Sequence, residues 1–500
     1  MLEHGRQDAA ARLTRAALIR RGIAGGAAVA FLGTLPARGL GWAEATAARR
    51  KGEVHGFVTR PDLRPPVISV LRHTEGAGEG YLFLAPASGP GMRGGLIADD
   101  RGDPVYFHPT APRTVMDFRP GLLRGAPVLS WWEGRYVRGV GKVGEYVVVD
   151  SSYREIARFA TARHRRPDFH EVLLTDDGAL LVTAYETVAA DLRPVGGPSN
   201  GLLYGGVVQE LAIPSGRLLW EWRSLDHVDV TETVSDQLGS PFDYFHINGI
   251  DVDGDGNLLV SARNTSALYK VDRRNGKVLW RLGGKRSDFS MGKGTAFGFQ
   301  HDPRFHEGGR TISLFDNGPR PGERRPESRA IVLAVDQRRK QVTLKREIRH
   351  RPPLFAFATG ANQLLPNGNR LVTWGITGWF TEYGPDGTVL LDASLPERGQ
   401  NYRVFRSPWA GKPTVPPAFK AYRQDAGQAQ FYASWNGATA LAGWRLETGR
   451  TPGMLSAGGV HPRRGFETSF AIPPRTRYAA VVALDAAGAP LGRSRTIRLY

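Results

Sequence analysis

Two short patterns alternate along most of the chain, and they constrain its fold more than any other feature. In the first, a polar turn leads into an apolar strand that ends on small or hydroxyl residues. In the second, a turn that usually contains Gly leads into a strand that often ends on Trp or Phe. Such turns and such strands are typical of antiparallel hairpins, so we predict an all-β chain. The first pattern occurs at residues 175–183, 253–261 and 365–374, and the second at residues 99–107, 214–220, 273–280 and 384–391.

The spacing of these hairpins indicates how they are arranged. Units of roughly 50 to 75 residues cannot cover the apolar faces of their own strands, so each unit needs neighbours on both sides. This is typical of a β-propeller, whose four-stranded blades surround a central channel. We predict a six-bladed β-propeller over residues 77–400. Its units lie before Phe107 and near residues 121–159, 170–222, 246–283, 300–348 and 361–394.

The segments on either side of the predicted propeller differ from it in composition. Residues 53–76 are interrupted by prolines, which confine this segment to extended or edge structure. Residues 401–420 are rich in proline and are predicted to be a linker. Residues 421–500 contain short alternating strands separated by turns, which predicts a small accessory β-sandwich of the Ig or fibronectin III type.

Residues 1–45 carry the pattern of an export signal. Arg20 and Arg21 precede a weakly apolar run at residues 23–35, and Ala43-Glu44-Ala45 offers a cleavage site. This order resembles a twin-arginine signal peptide. The apolar run is shorter than the roughly 20 residues that a membrane-spanning helix needs. We therefore expect an exported protein, extracellular or in the cell envelope or periplasm, without a stable membrane span.

Composition narrows the chemistry. The chain has no cysteine, so disulfides and thiolate metal sites are excluded. Its formal charge is +18, but the basic residues are scattered and no nucleic-acid motif is present, so we expect no nucleic-acid partner. A run of acidic residues at 251–255 imitates a calcium loop, but Ala262 stands where the bidentate Glu should be, which predicts a plain turn. No metal or other cofactor is expected.

Three histidines stand at the starts of predicted strands in three successive units. In the stretch 243–263, His246 and Asn248 project to the same face of a strand, and the strand after the turn delivers Arg263. His170 and His301 occupy similar positions. A lone histidine beside a turn is more often structural than catalytic. Because the first strand of each blade lines the channel, three such histidines predict one shared anion-binding site.

Several of these stretches together resemble the bacterial arylsulfotransferases (ASST family), in particular the actinobacterial-type branch. The resemblance spans residues 55–440 and includes a region after the propeller. The matching motifs are Phe169-His170-Glu171, residues 243–263 and 280–284, Gln300-His301-Asp302, and residues 315–318, 374–383 and 432–439.

The resemblance implies a six-bladed propeller that moves a sulfuryl group from a small-molecule aryl sulfate donor to a phenol acceptor, without the nucleotide sulfate donor. By position, His301 matches the histidine that becomes sulfated in this family. His246, Asn248 and Arg263 match residues that hold the sulfuryl oxygens, and His170 matches a further channel histidine. A homodimer is possible.

The chemistry of the residues agrees with that implication. A sulfuryl group in transfer spreads charge over three oxygens, so positioning and hydrogen-bond donors should supply most of the catalysis. His301 would attack sulfur, and His170 or His246 would move the proton. The other substrate-binding candidates are Gln300, Phe245 and Phe299. In the last blade, Asn362, Gln363 and Thr377 stay open as channel residues.

Two alternatives use the same features. A non-catalytic propeller would bind an anionic glycan or protein partner through the basic channel. An aryl sulfate hydrolase would keep the site but use water as the acceptor.

Overall fold

The computed structural model describes residues 54–137, 141–319, 327–423, 429–473 and 476–499. The predicted signal peptide at residues 1–45 lies outside the described residues. Within these ranges, no helix has both the length and the apolar character needed to cross a membrane. The short helices are 3-10 turns at Arg193–Val195, Ser224–Asp226, Val230–Glu232, Glu307–Gly309 and Gly375–Thr377.

Strands account for the rest of the regular structure, which confirms the prediction of an all-β chain. In chain order they are β1 (Ser69–His73), β2 (Tyr81–Leu84), β3 (Gly94–Ala98), β4 (Pro104–Pro109), β5 (Thr114–Leu123), β6 (Ala126–Val137), β7 (Gly141–Asp150), β8 (Glu155–Phe159), β9 (Arg166–Leu174), β10 (Ala179–Ala190), β11 (Gly201–Ala212), β12 (Leu218–Arg223), β13 (Phe242–Asp243), β14 (Ile247–Val252), β15 (Leu258–Ala262), β16 (Ala267–Val271), β17 (Val278–Gly283), β18 (Ser290–Met291), β19 (His301–His306), β20 (Thr311–Asp316), β21 (Arg329–Asp336), β22 (Gln341–Ile348), β23 (Ala361–Leu364), β24 (Arg370–Thr373), β25 (Trp379–Tyr383), β26 (Val389–Ser394), β27 (Val404–Ser407), β28 (Ala418–Arg423), β29 (Ala429–Ser434), β30 (Gly443–Thr451), β31 (Met454–Pro462), β32 (Glu467–Ala471), β33 (Tyr478–Leu484), β34 (Pro490–Arg493) and β35 (Ile497–Arg498).

Strands β1 to β27 form six sheets in the described part of the chain, and we call each of these sheets a blade. Neighbouring long strands within a blade are antiparallel, and the two-residue strands β13 and β18 add parallel pairs at β11 and β22. The blades have the strand orders β27-β2-β3-β4, β5-β6-β7-β8, β9-β10-β11-β12, β14-β15-β16-β17, β19-β20-β21-β22 and β23-β24-β25-β26-β1.

One end strand of each blade contacts the next blade, and these contacts run around a ring. Strand β5 contacts β9, β9 contacts β14, β14 contacts β19, and β19 contacts β23; strand β27 contacts both β24 and β5. The chain is therefore a β-propeller, as the alternating hairpins predict. Strands β9, β14 and β19 are thus neighbouring inner strands of three successive blades.

The ring is closed by strands from both ends of its sequence. Strand β27 pairs with β2 and becomes the inner strand of the first blade, while β1 pairs with β26 at the outer edge of the last blade. Both closing strands lie outside the predicted range of 77–400. The ring thus includes part of the predicted N-terminal segment and part of the predicted linker.

Residues 418–498 form two further sheets that share one apolar core. One sheet contains β28, β29 and β32, and the other contains β30, β31, β33, β34 and β35. Phe431 and Phe470 from the first sheet pack with Trp444 and Val481 from the second. Two sheets around one core form a sandwich, and its assignment to the Ig or fibronectin III type stays a prediction.

Candidate active site

The structure brings the three predicted histidines together on the inner strands of the ring. His170 lies on β9, His246 immediately precedes β14, and His301 is the first residue of β19. The ring centroid of His170 is 5.1 Å from that of His246 and 6.2 Å from that of His301. Each comes from a different blade, because the inner strands of successive blades start side by side.

His301 is held so that one of its nitrogens stays free of a proton. Its Nδ1 is 2.7 Å from Oδ1 of Asn317, whose Nδ2 donates to the carbonyls of Ala356 and Thr359. The Asn317 oxygen is therefore the acceptor, and His301 carries its proton on Nδ1. From the residues that the structure describes, the Nε2 lone pair receives only a long backbone bond, from Thr359 N at 3.3 Å. Burial, with His170 and Arg263 nearby, holds the pKa of His301 well below its usual value.

The other two histidines each bind a carboxylate. His170 Nδ1 is 2.6 Å from Oδ2 of Asp168, and His246 Nδ1 is 2.6 Å from Oδ2 of Asp243. A carboxylate can only accept, so both imidazoles present Nδ1–H to it, and Nε2 is the nitrogen that the carboxylate does not hold. Burial lowers the pKa of His170 to about 4.

Arg263 follows β15 and extends beside the histidines. Its guanidinium donates to Oδ1 of Asn264 and to the carbonyl of Phe357, and its Cζ lies 4.8 Å from the ring centroid of Phe299. Among the described residues it forms no ion pair with a carboxylate. Because it is buried, its pKa falls to about 10, so it is still a cation at neutral pH and can bind an anion.

Asn248 and Gln300 lie behind the histidines and connect two blades. Asn248 donates through Nδ2 to the carbonyl of Gln300 at 2.6 Å. Gln300 donates through Nε2 to Ser261 Oγ and to the carbonyls of Ala262 and Ala267. Both side chains are fully buried. The structure therefore gives them a role in holding β14, β15 and β19 together, and direct contact with substrate stays a prediction.

The two predicted aromatic residues have different surroundings. Phe299 lies under the guanidinium of Arg263 and is only partly buried. Phe245 is fully buried in an apolar cluster with Trp222, Tyr244 and Tyr269. The structure thus does not bring Phe245 to the histidines, because its ring fills the space between two blades.

Several residues around the site have left-handed backbone conformations. The φ angles are 51° at His246, 53° at Phe299, 53° at Asp302 and 61° at Thr359. For residues with a side chain this region is costly and is kept only where the surroundings enforce it. Clusters of such residues are typical of functional sites.

The channel is filled beneath the histidines. Tyr402 donates to the carbonyl of His170 at 3.0 Å, and its ring centroid lies 6.4 Å from that of His301. Below it, the side chain of Arg403 is fully buried and contacts Asp117 and Glu171. Tyr402 and Arg403 therefore fill the interior of the ring next to the histidines.

Sequence reasoning did not single out Asn317, Asp168 or Asp243, although each directly contacts a histidine. Asp243 begins the central stretch, Asn317 stands within residues 315–318, and Asp168 precedes His170 by two positions. A search for a hydrogen-bond partner near each histidine could have found Asp168 and Asp243. Within the described ranges, no group of three or more His, Cys, Asp or Glu could hold a metal ion.

The fold and the site define a β-propeller protein with three histidines from successive blades close together near its axis. Residues 119–395, more than half of the chain, match the sequence model of the family described as Arylsulfotransferase (ASST). The chain belongs to this arylsulfotransferase family, and the family supports arylsulfotransferase activity in general. No curated protein matches the chain.

Solved structures resemble parts of the chain at low identity. A Bacteroides caccae protein of unknown function has 12% identity and a TM-score of 0.42, over 65% of this chain and 98% of that one. An inactive Staphylococcus aureus virginiamycin B lyase with quinupristin has 8% identity and a TM-score of 0.35, over 74% and 96%. The periplasmic gluconolactonase of Pseudomonas aeruginosa has 12% identity and a TM-score of 0.29, over 74% and 96%. Likeness at this level says nothing about function.

Proposed function

We propose that this protein transfers a sulfuryl group from an aryl sulfate ester to a phenol through a sulfated His301, without a nucleotide sulfate donor. The observation that supports this most is the bond from His301 Nδ1 to Asn317. It leaves Nε2 unprotonated, and an unprotonated nitrogen is what a nucleophile needs. The low pKa of His301 has the same consequence at neutral pH.

The proposed reaction has two displacements. In the first, Nε2 of His301 bonds to sulfur while the bond between sulfur and the aryl oxygen breaks, and the departing phenolate takes a proton from a neighbouring imidazole. In the second, the oxygen of the acceptor phenol attacks sulfur, the sulfur–nitrogen bond breaks, and the phenol proton passes back to that imidazole. His170 and His246 are the neighbouring imidazoles.

Stabilisation of the sulfuryl oxygens would come from groups around His301. Arg263 supplies a buried positive charge next to the site. The hydroxyl of Thr359 is buried, and among the described residues it has no hydrogen-bond partner, so it can donate to a bound sulfuryl oxygen. Such fixed donors are effective because they need no rearrangement when the charge develops.

The test is intact-mass analysis after brief exposure to excess 4-nitrophenyl sulfate without acceptor. We expect the mass of one SO3 unit to be added, discharged by phenol, and absent from His301→Ala. His306→Gln is the matched control, because His306 lies on the same strand and bonds Ser313 instead. Nitrophenol release without an adduct, and without stimulation by phenol, would indicate hydrolysis. No adduct and no release with several aryl sulfates would favour a binding propeller.

We also propose export through the twin-arginine route, on the pattern at residues 1–45. The support is Arg20-Arg21 ahead of the weakly apolar run at residues 23–35. Changing both arginines to lysine should retain the protein in the cytoplasm, and cell fractionation would detect this.

A further inference from the structure

A lysine from the neighbouring blade enters the histidine site, and the proposed reaction does not use it. Lys142 lies near the start of β7, and its Nζ donates to Oδ1 of Asp168 at 2.5 Å. The same nitrogen lies 3.9 Å from the ring centroid of Phe169. Asp168 is completely buried, whereas 21% of the lysine side chain is exposed. The lysine therefore reaches inward across an aromatic ring to meet one buried carboxylate.

Asp168 distributes its two oxygens between different partners. Oδ1 accepts a hydrogen bond from the ammonium group of Lys142. Oδ2 accepts three hydrogen bonds: from Nδ1–H of His170, from the backbone N–H of His170, and from the hydroxyl of Thr183. All of these groups are donors, so the carboxylate is fully satisfied as an anion. The charge of Asp168 is thus already balanced by an ammonium group before any proton is added to His170.

His246 has a carboxylate with no ammonium or guanidinium group in direct contact. Asp243 Oδ2 accepts from His246 Nδ1, Oδ1 accepts from the backbone N–H of His246, and Tyr185 O–H lies 3.5 Å from Oδ2. In the part of the chain that the structure describes, no Lys or Arg forms an ion pair with Asp243. The nearby Arg263 bonds Asn264 and Phe357 and attracts Asp243 only through space. The two histidine–carboxylate pairs have the same length, but of the two carboxylates only Asp168 is in direct contact with an ammonium group.

We propose that Lys142 is a positioning residue that keeps His170 neutral, so that His246 carries the proton in both displacements. This rests on the proposed function. A carboxylate favours the protonated form of a neighbouring imidazole, and a second cation on the same carboxylate opposes that effect. His246 Nε2 gives its proton to the departing phenolate and takes one from the acceptor phenol, so the cycle is balanced. Neutral His170 places no second positive charge beside His246, where it would oppose the uptake of the proton from the acceptor phenol.

The surroundings of His170 support this assignment from every side. Burial is the main cause of its low pKa, and Lys142 and His246 lower that pKa further, while Asp168 raises it. Without Lys142, burial still lowers the pKa of His170 and Asp168 still raises it, but one lowering contribution is gone. The pKa of His170 should therefore rise towards its ordinary range. The titratable groups that face His170 are Asp168, Lys142, His246, His301 and Tyr402.

The first experiment measures His170 itself and does not depend on activity. In NMR titrations of histidine-labelled protein, His170, assigned with His170→Asn, should not titrate between about pH 5.5 and 8 in the wild type. In Lys142→Met the titration midpoint of His170 should rise by about one unit or more above its wild-type value, because a charge within a few ångströms changes a pKa by that amount. Lys142→Arg should restore the wild-type behaviour.

The second experiment is the pH profile of transfer from the sulfated enzyme to phenol. The acidic limb should move up by about one pH unit in Lys142→Met, because His170 then takes up its proton at a higher pH and a cationic His170 makes the adjacent His246 a poorer base. Lys142→Arg should return it. Lys270→Met is the matched control, since Lys270 also pairs with a buried aspartate, Asp253, near a phenylalanine ring but outside the site.

Three outcomes would overturn the inference: an unchanged titration midpoint of His170 in Lys142→Met, an unmoved acidic limb, or equal changes in Lys270→Met. If Lys142→Met does not fold, Lys142→Gln also removes the positive charge and serves as the second variant. Titration of His170 in the neutral range in the wild-type protein would by itself refute the inference. Absence of a sulfated His301 would refute the proposed function and leave the NMR result for His170 standing.

Discussion

Asn317 determines which nitrogen of His301 is free to react, because the side-chain amide of Asn317 cannot flip. Two backbone carbonyls, of Ala356 and Thr359, accept from its Nδ2 and fix Oδ1 towards the imidazole. This is the same use of a fixed acceptor that sets the tautomer of a catalytic histidine in hydrolases. The reactivity of His301 thus depends on two main-chain carbonyls in the segment that connects two blades, because these carbonyls orient Asn317.

Replacing Asn317 with Leu should slow the first displacement by about 100-fold or more, since the wrong tautomer protonates the attacking nitrogen. The rate of nitrophenol release in the first turnover would measure this. Asn436→Leu is the control. The side chain of Asn436 also forms hydrogen bonds to main-chain groups, the N–H and the carbonyl of Phe107, but it lies far from the histidines. An unchanged first turnover in Asn317→Leu would contradict the assigned role.

At this scale the sequence predicts the histidines but not what holds them. Strand starts in successive repeats suffice to expect that His170, His246 and His301 meet. Lys142 could not be predicted, because the length of the β6–β7 hairpin decides whether it reaches Asp168. Phe245 has the same local pattern as a pocket residue, and only the packing between blades shows that its ring is enclosed.

At the scale of strands, a buried ionic cluster links the inner strands of several blades. Arg403, just before β27, contacts Asp117 on β5 and Glu171 on β9, and its Nε is 3.5 Å from Asp302 on β19. Arg119 and Arg304 complete the cluster. Although burial opposes it, these arginines lower the pKa of Glu171. Charge balance in the channel floor therefore requires all four strands to be in place.

Replacing Arg403 with Met should lower the free energy of unfolding by about 3–5 kcal/mol, because it leaves buried carboxylates without their cation. Denaturant titration would measure this. The control is Arg339→Met: Arg339 pairs with Asp336 on the surface and should contribute about 1 kcal/mol or less. A small effect of Arg403→Met would mean that Arg119 and Arg304 suffice.

The sequence predicts most strands but not the closure of the ring. Turn residues on both sides identify hairpins such as β14–β15. Strand β27 has only four residues, follows irregular chain and precedes prolines, so nothing local distinguishes it from a linker. Its pairing with β2 depends on the ring geometry, which no local pattern contains.

At the scale of the whole molecule, the C-terminal sandwich is fastened to the propeller and to the N-terminal segment. Glu467 accepts from the backbone of Val58 and Thr59. Asn436 bonds both backbone groups of Phe107 on β4, and Gly437 O accepts from Tyr153. The sandwich therefore contacts and stabilises the first blades, a role that its sequence alone did not suggest.

Replacing Glu467 with Ala should lower the free energy of unfolding by about 1.5–3 kcal/mol, since bonds to a charged acceptor are the stronger ones. Limited proteolysis should also begin to cut near residues 54–66. Glu447→Ala is the control, because Glu447 pairs with Arg493 at the surface of the sandwich. Equal protease resistance of the two variants would show that Glu467 does not fasten this segment.

The shared first blade also sets the order in which the protein can fold. Strands β2 to β4 leave the ribosome early, but their inner partner β27 is made about 300 residues later, on the order of tens of seconds at usual rates of synthesis. During that time β2 is an open edge, able to pair with another nascent chain. Only completion of β27 removes this risk, so the ring is exposed to misassembly until synthesis has passed its last strand.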